Sequence, residues 1–333
     1  MGMDKKKRWT ICILLVIFGL AAAGAGIFWG RSREEEKLSL IYIPKIIDET
    51  NDFWTALLEG ARTAAEEYGV HLEVKAPDSE EDYEGQNALI QEILEREKKP
   101  DALIISPVSY TQSTRLLEKI KEQGIALVLI DSEVDKDIGD LMVSTDNLEA
   151  GKRLGEYVKK ILPEGKKVAV VGHVEGSSTA MEREKGFREG LGERQEDYVE
   201  VVYCGSQYQR AYELSGELME KYPDLGVIAG LNEYSAVGAA RAVRDLKAAD
   251  QISMVGIDSS QEGITMMEQG VFKGFILQKP FKMGYLGVKY TVEMLRGEKV
   301  PSRINAGSEL VTPENMYTEE HEKLLFPFKE KQN

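Results

Sequence analysis

The chain has 333 residues, of which 42% are hydrophobic and 30% charged; this describes a folded globular protein long enough for two domains. Its net charge is −15, and because residues 1–33 carry six basic residues against one acidic residue, the remainder carries −20. A body this acidic repels a phosphate backbone, so we expect no nucleic acid partner.

The segment from Thr10 to Trp29 holds 20 residues without a charge, which as a helix spans about 30 Å and crosses a bilayer. The basic residues Lys5–Arg8 precede it, so the positive-inside rule leaves the N-terminus in the cytoplasm and the body outside. A cleaved signal peptide with its site within Ala21–Ala25 is the alternative. Because the apolar run continues past these alanines, we favour a retained anchor over residues 1–33. In both cases the body is extracytoplasmic, at the cell surface or in the periplasm.

Beyond this segment, short apolar strands alternate with amphipathic helices, a pattern that predicts βαβ units and a parallel sheet. The first series has predicted strands at Leu38–Ile43, Leu72–Ala76, Ala102–Ser106 and Ala126–Ile130. Its predicted helices are Thr55–Tyr68, Gln86–Glu97 and Gln112–Gln123.

A second series begins after Asp146. Its predicted strands are Lys167–Gly172, Val199–Cys204, Gly226–Ala229, Ile252–Ile257 and Lys273–Leu277. Its predicted helices are Leu148–Leu162, Ala180–Leu191, Tyr208–Lys221 and Ser235–Leu246, and a last helix, Met283–Leu295, is expected to return to the first lobe. Two α/β series predict two lobes: residues 38–144 with 279–305, and residues 145–278 with 306–320.

Polar and aromatic side chains follow several of these strands or begin the next helices. The carboxyl ends of parallel strands meet at one edge of a sheet, and ligands bind in the crevice there. Side chains more than two hundred positions apart can therefore line one cleft. The candidate binding residues are Asn51, Phe53, Trp54, Asp131, Arg183, Tyr208, Asn232, Asp258 and Gln278.

These residue types suit a small sugar or polyol. Each buried hydroxyl needs a fixed partner, because an unpaired one costs about 1–3 kcal/mol. Carboxylates and amides can bridge neighbouring hydroxyls, a guanidinium offers several donors in one rigid fork, and aromatic rings cover the apolar ring faces. The set predicts binding and has little to offer catalysis.

Each candidate also has a purely structural interpretation. Asp131, Asn232 and Asp258 could be helix N-caps, which is the commonest use of such residues. Arg183 could form a surface ion pair with a neighbouring glutamate. Phe53 and Trp54 could pack in the core or form a hydrophobic staple, and Tyr208 could be an ordinary helix residue.

Signals for an enzyme are missing from the sequence. The three histidines, His71, His173 and His321, are isolated and lack metal-ligand spacing. Neither a nucleophile elbow nor a phosphate-binding loop is present. We therefore expect no catalytic residue, no metal and no cofactor.

Residues 38–311 resemble the type I sugar-binding proteins of bacterial ABC importers, and the ribose-binding proteins most closely. The matching segments, in chain order, are Asn51-Asp52-Phe53-Trp54, Leu129-Ile130-Asp131, Ser144-Thr145-Asp146-Asn147, Arg183-Glu184-Lys185-Gly186-Phe187, Gly230-Leu231-Asn232-Glu233, Val255-Gly256-Ile257-Asp258 and Gln278-Lys279-Pro280. The resemblance implies two doubly wound parallel-sheet lobes joined by a three-strand hinge, the type I periplasmic binding fold.

The resemblance also implies roles for these residues. Asn51 supplies an amide, Phe53 and Trp54 supply two rings that sandwich the sugar, and Asp131 binds hydroxyls. Arg183 reaches the ligand, Tyr208 stacks on it, Asn232 and Asp258 stand at strand ends, and Gln278 stands at the second crossing between lobes.

Two departures bear on the ligand. Ribose binders place an arginine after the first-lobe aspartate, whereas this chain has Ser132, so one charged donor is missing from that wall. Asp52 replaces a proline, and Trp54 is the larger of the aromatic residues used there. Another pentose, a hexose, an inositol or a furanosyl signal molecule therefore stays open as the ligand.

The function expected from the resemblance is delivery of a sugar to an ABC importer by a monomeric body whose lobes close on the ligand. The permease and the ATPase would be separate chains. The alternative is a membrane-tethered sensor that reports ligand occupancy to a histidine kinase or a chemoreceptor.

Overall fold

The computed structural model describes residues 37–325, apart from the side chains of residues 320, 323 and 324. The predicted anchor or signal segment, residues 1–33, lies outside the described residues. Between residues 37 and 325 no helix is both long enough and apolar enough to cross a membrane. Residues 39–325 form one compact unit.

The first sheet has six parallel strands in the order β11-β5-β4-β3-β1-β2. These strands are β1 (Ser39–Ile43), β2 (His71–Val74), β3 (Ala102–Ile105), β4 (Ala126–Ile130), β5 (Leu141–Ser144) and β11 (Arg303–Asn305). The helices that connect the first four are α1 (Asp52–Tyr68), α2 (Tyr83–Glu95) and α3 (Thr114–Glu122).

The second sheet has the order β12-β10-β9-β8-β6-β7, with only the edge strand β12 antiparallel to its neighbour. Its strands are β6 (Lys167–Gly172), β7 (Tyr198–Tyr203), β8 (Leu225–Gly230), β9 (Ser253–Ile257), β10 (Phe272–Gln278) and β12 (Ser308–Val311). The helices are α4 (Asn147–Ile161), α5 (Ser178–Leu191), α6 (Tyr208–Lys221), α7 (Glu233–Asp245), α8 (Gln261–Glu268), α9 (Pro280–Leu295) and α10 (Glu319–Leu325). A 3-10 turn, Gly192–Asp197, follows α5.

The chain passes between the two sheets at three places: after β5, after β10 and between β11 and β12. Helix α9 returns after the second passage and packs against α1 and the strands β3, β4 and β5. The two α/β lobes with parallel sheets that the alternation predicts are therefore confirmed.

Most of the strands are buried on both faces, as expected for parallel strands covered by helices. All four residues of β3 are buried, and the apolar side chains of β1, β3 and β4 join a core that α2 and α3 complete. In the second lobe, separate apolar clusters cover the two faces of the sheet.

Two predicted helices begin earlier in the structure than in the sequence prediction. Helix α1 begins at Asp52 and not at Thr55, and α2 begins at Tyr83 and not at Gln86. The physical reason is capping: Asn51 accepts from the N–H of Trp54 and Asp82 from that of Gly85, which fixes each first turn ahead of the helical apolar pattern.

Helices α4 and α5 pack through glycines spaced four residues apart, Gly151 and Gly155 on α4 and Gly186 and Gly190 on α5. A Cβ added at Gly151 would lie 2.1 Å from the carbonyl oxygen of Arg183, and one added at Gly155 would lie 2.1 Å from that of Phe187. The two backbones are thus in direct contact, and this contact determines where Arg183 stands.

We expect Gly155→Ala to lower the free energy of unfolding by about 1–3 kcal/mol, because the new methyl group forces the two helices apart. Gly216→Ala on α6 is the matched control, since a Cβ at Gly216 meets no atom within 4 Å. There the same change should stabilise by up to about 1 kcal/mol, because alanine is the better helix former. Urea unfolding followed by circular dichroism measures both, and equal effects would contradict the proposed contact.

Candidate functional site

A cavity of about 20 Å³ lies between the two sheets, at the carboxyl ends of their strands. This is room for about one water molecule, so the cleft between the lobes is almost filled. Lobe one contributes Lys45, Asn51, Phe53, Trp54, Glu80 and Asp131 to its lining. Lobe two contributes His173, Thr179, Arg183, Asn232, Glu233, Tyr234, Asp258 and Gln278. The structure thus brings together all the candidate binding residues except Tyr208.

Asp131 and Asp258 occupy equivalent positions in the two lobes, directly after β4 and β9. Both are buried, and both have left-handed backbones, with φ of 69° and 61°. Aspartate is among the few residue types that adopt this conformation readily. Neither residue caps a helix, so the N-cap interpretation does not apply to them.

Asn51 and Asn232, in contrast, cap helices and line the cavity at once. The Asn51 Oδ1 atom accepts from the N–H of Trp54 at 3.0 Å. Asn232 forms a capping box with Ser235, in which each side chain accepts from the backbone N–H of the other residue at 2.9 Å. Capping fixes the orientation of both amides toward the cavity.

Asp258 is held by Gln278 at the second passage between lobes. The Gln278 Nε2 atom donates to Oδ2 of Asp258 at 2.6 Å, and its backbone N–H donates to Oδ1 at 3.1 Å. Burial raises the pKa of Asp258, while the positive charge of Arg183 and the bonds from Gln278 oppose that rise. The Gln278 Oε1 atom is buried and has no hydrogen-bond partner among the described residues.

Arg183 is buried, which rules out the surface ion pair considered from the sequence. Its Nε atom donates to Oδ1 of Asn147 and its Nη1 atom to the carbonyl of Leu231, both at 2.8 Å. These bonds anchor the guanidinium in one orientation at the cavity wall.

Lys45 is a functional candidate that the sequence reasoning missed. Its Nζ atom lies 2.9 Å from Oδ2 of Asp131, with both side chains 4% exposed, and also donates to Oγ1 of Thr179 in the other lobe at 3.4 Å. Ser132 donates to the carbonyl of Pro107 at 2.8 Å. The positive charge that Ser132 cannot supply to this wall therefore comes from Lys45, in the loop after β1.

His173 is a second lining residue that the sequence did not single out. Its Nε2 atom lies 2.8 Å from Oγ1 of Thr179, and its Nδ1 atom is buried without a partner. Burial, followed by the charges of Arg183 and Lys45, keeps its pKa well below the usual value, so the ring is neutral at pH 7. Within residues 37–325 we find no cluster of His, Cys, Asp or Glu that could hold a metal ion.

The aromatic residues depart from the expected arrangement. Phe53 and Trp54 meet edge to face, with ring centroids 5.1 Å apart and planes at 88°, so they form a corner of the cavity. Tyr208 does not line the cavity: its ring packs on that of Tyr234, with centroids 4.7 Å apart, and on the guanidinium of Arg241. Tyr234 is the aromatic residue that the second lobe presents to the cavity.

The remaining lining residues that were missed are Glu80, Thr179, Glu233 and Tyr234. Glu80 accepts from Nε1 of Trp54 and, at 2.6 Å, from Oγ of Ser206 in the other lobe. Glu233 directly follows Asn232 in a segment already noted for the resemblance. A search that included the first helical turn after each strand end would have found Glu233 and Tyr234. Glu80 lies in a loop and Thr179 lies in the first turn of α5, and neither position carries a comparable signal.

Comparison with known proteins places the chain in a family. The model of the periplasmic binding protein domain matches residues 43–299. The chain therefore belongs to the periplasmic binding protein family, and its two lobes have the type I fold of that family.

Individual relatives agree. The ribose import binding protein of Salmonella typhimurium is 27% identical over 263 residues, which cover 78% of this chain and 86% of that protein. The solved structure of a sugar transporter from Clostridium phytofermentans is 42% identical, with a TM-score of 0.78, over 83% of this chain and 99% of the other. An ABC transporter solute binding protein from Agrobacterium vitis with bound D-fucose is 25% identical, with a TM-score of 0.81, over 86% and 99%.

We expect Lys45→Met to lower the free energy of unfolding by about 3 kcal/mol, because the carboxylate of Asp131 would stay buried without its partner. The control is Lys121→Met, which removes a pair with Asp140 of the same residue types and the same 2.9 Å distance, but with side chains 37% and 34% exposed. That loss should be at most about 1 kcal/mol. Chemical denaturation of both variants provides the comparison, and a loss at Lys45 no larger than at Lys121 would refute a buried pair.

Proposed function

We propose that this member of the periplasmic binding protein family binds a small uncharged sugar or polyol outside the cytoplasm and delivers it to an ABC importer. The observation that carries the proposal is the pairing of Asp131 and Asp258, one from each lobe, on opposite sides of a single cavity. Two carboxylates aimed at one small space from two sides can bridge pairs of hydroxyls on a sugar ring. The passages between the sheets act as the hinge on which residues 38–144 with 279–305 close against residues 145–278 with 306–320.

The charges of the lining favour an uncharged ligand. Lys45 is already neutralised by Asp131 at 2.9 Å, and Arg183 lies close enough to Asp258 to affect its pKa. Glu80 and Glu233 add two further carboxyl groups to the lining. A phosphate or carboxylate on the ligand would meet no surplus positive charge among the described lining residues, and its desolvation would go uncompensated.

The names of the relatives support import over sensing. They include a ribose import binding protein and an ABC transporter solute binding protein with D-fucose. On this proposal the permease and the ATPase are separate chains, the body acts as a monomer, and residues 1–33 serve as its signal or anchor. The body needs no cofactor or metal and performs no catalysis.

A thermal-shift screen of the full chain in detergent against pentoses, hexoses and polyols tests the proposal. At a hundred times its dissociation constant, a ligand should stabilise the protein by about 2.7 kcal/mol. We expect at least one neutral sugar to raise the melting temperature, and the phosphate ester of the same sugar to have little effect. If no neutral sugar stabilises the chain, or if only phosphorylated sugars do, the proposed ligand class is wrong.

For the sugar that the screen identifies, we expect Asp258→Asn to weaken binding at least tenfold, because one acceptor for a hydroxyl becomes a donor. Asparagine also tolerates the left-handed backbone, so the melting temperature without sugar should change little. Asp224→Asn, at an exposed position just before β8, is the control and should leave the affinity unchanged. Calorimetric titration measures both, and equal affinities in the two variants would place Asp258 outside the binding site.

A further inference from the structure

Glu233, the first residue of α7, reaches across the cleft to the other lobe. Its Oε2 atom accepts from the N–H of Phe53 at 3.1 Å, and its Oε1 atom accepts from the N–H of Asp52 at 3.3 Å. These two donors belong to the first turn of α1 and have no partner within that helix. The carboxyl group therefore binds the N-terminus of α1, whose dipole favours the charged form and so works against the burial that raises the pKa of this group.

A contact with Glu233 explains the position of Tyr208. Its hydroxyl donates to Oε1 of Glu233 at 2.7 Å, so the tyrosine supports the glutamate from behind. Other bonds join the lobes beside it: Tyr234 donates to Asp48 at 2.6 Å, and the N–H of Gln261 donates to Asp52 at 3.2 Å. Glu233, Tyr234 and Gln261, all from lobe two, therefore contact residues 48–53 at the start of α1.

These contacts can form only when the lobes are together. Asp52 and Phe53 follow β1 of the first sheet, whereas Glu233 follows β8 of the second. Glu233 is 1% exposed, so separation of the lobes returns its carboxyl group to water.

We propose that Glu233 is a closure residue, which binds the N-terminus of α1 across the cleft and couples closing of the cleft to uptake of a proton. The inference rests on the proposed function only in taking the cleft as the one that closes on a sugar. It assigns to Glu233 a role in positioning the lobes.

The surroundings of Glu233 determine whether closure weakens or strengthens as the pH rises. Burial raises its pKa to about 8, and the nearby carboxylate of Asp52 adds to the rise, whereas the bonds from Tyr208 and from the backbone of Phe53 and Asp52 oppose it. Asp48 faces Tyr208 from the same end of α1, Arg241 stacks on the Tyr208 ring, and Glu80 lies on the cavity wall.

In the open cleft the carboxyl group returns toward its ordinary pKa of 4.5. The closed form therefore holds one more proton between pH 4.5 and about 8, and closure weakens as the pH rises through this range. His173, whose pKa is lowered from 6.5, acts in the opposite direction below that value. Glu80 and Asp258 also have raised pKa values, so the contribution of Glu233 is the difference between the unchanged chain and Glu233→Gln over the interval from pH 6.5 to 8.

Spin-label distances in the full chain in detergent, without any sugar, test the proposal. Exposed helix positions in the two lobes, Glu66 on α1 and Glu217 on α6, are changed to cysteine for labelling, with Cys12→Ser as background. Cys204 stays, because it is buried. Pulsed electron resonance then gives the ratio of closed to open molecules at pH 6.5 and at pH 8.

One proton permits at most about a tenfold change in this ratio per pH unit, and we expect a fall of at least about fivefold across the interval. Glu233→Gln keeps the shape without the titration, so its ratio should fall at least about fivefold less than that of the unchanged chain and be the higher of the two at pH 8. Glu73→Gln on β2 is the control: Arg96 holds this carboxylate and lowers its pKa to about 2, so the variant should behave like the unchanged chain.

Glu233→Asp shortens the side chain by one methylene but keeps a carboxyl group that titrates. It should lower the closed fraction at both pH values, which separates the effect of side-chain length from the effect of protonation. The proposal is overturned if Glu233→Gln keeps the full pH dependence, or if the unchanged chain is open at both pH values or shows no pH dependence. Because no sugar is present, a failed sugar screen would overturn the proposed function and leave this result standing.

Discussion

The burial of charge between two lobes is the constraint on which the site depends. Asp131 and Asp258 follow equivalent strands and are removed from water, so each requires a compensating partner. Asp131 obtains it from Lys45 at 2.9 Å, and Asp258 obtains it from the amide of Gln278 and the charge of Arg183. The position of Arg183 depends in turn on the glycine contact between α4 and α5, since a side chain at Gly151 would collide with its carbonyl oxygen. The packing of the second lobe and the electrostatics of the cavity therefore depend on each other. Glycines in α4 and α5 place Arg183, and the charge of Arg183 partly compensates the buried carboxylate of Asp258.

Much of the fold follows from the sequence because parallel strands that are buried on both faces are short continuous apolar runs, as in Ala126–Ile130. The elements that were not predicted lack this signal. Strand β11 (Arg303–Asn305) lies at a sheet edge with two of its three residues exposed, and β12 (Ser308–Val311) is an edge strand with one buried residue. Strand β5 (Leu141–Ser144) has only three apolar residues, and helices α8 (Gln261–Glu268) and α10 (Glu319–Leu325) are about two turns long. Their pairing is decided by tertiary contacts, which local propensity does not contain.

The same distinction applies to the site. Residues that directly follow strands, or that cap the next helix, could be located from the sequence, since the topology alone carries them to the shared edge. Lys45 and Glu80 lie in loops, and no spacing in the sequence indicates that these loops reach the cavity. Tyr208 was assigned to the ligand by resemblance, whereas here its hydroxyl supports Glu233 and Tyr234 presents its ring to the cavity. Nor are the structural and functional interpretations exclusive: Asn51 and Asn232 are caps whose capping bonds fix the amides that face the cavity.

The contacts across the cleft fall into two groups with different consequences for binding. Lys45 to Thr179 joins the lobes through residues of the cavity itself, so a ligand that enters can replace or extend it. Glu233 to the start of α1, with Tyr234 to Asp48, joins them through helix ends and side chains whose partners are all protein groups. The apparent affinity of a ligand for a closed state scales with the fraction of molecules able to close. We therefore expect contacts of the second group to alter the affinity for every ligand through the fraction of closed molecules. Because Glu233 and Tyr234 also line the cavity, a change at either residue alters the surface that meets the ligand as well, so affinity and specificity are coupled at this wall.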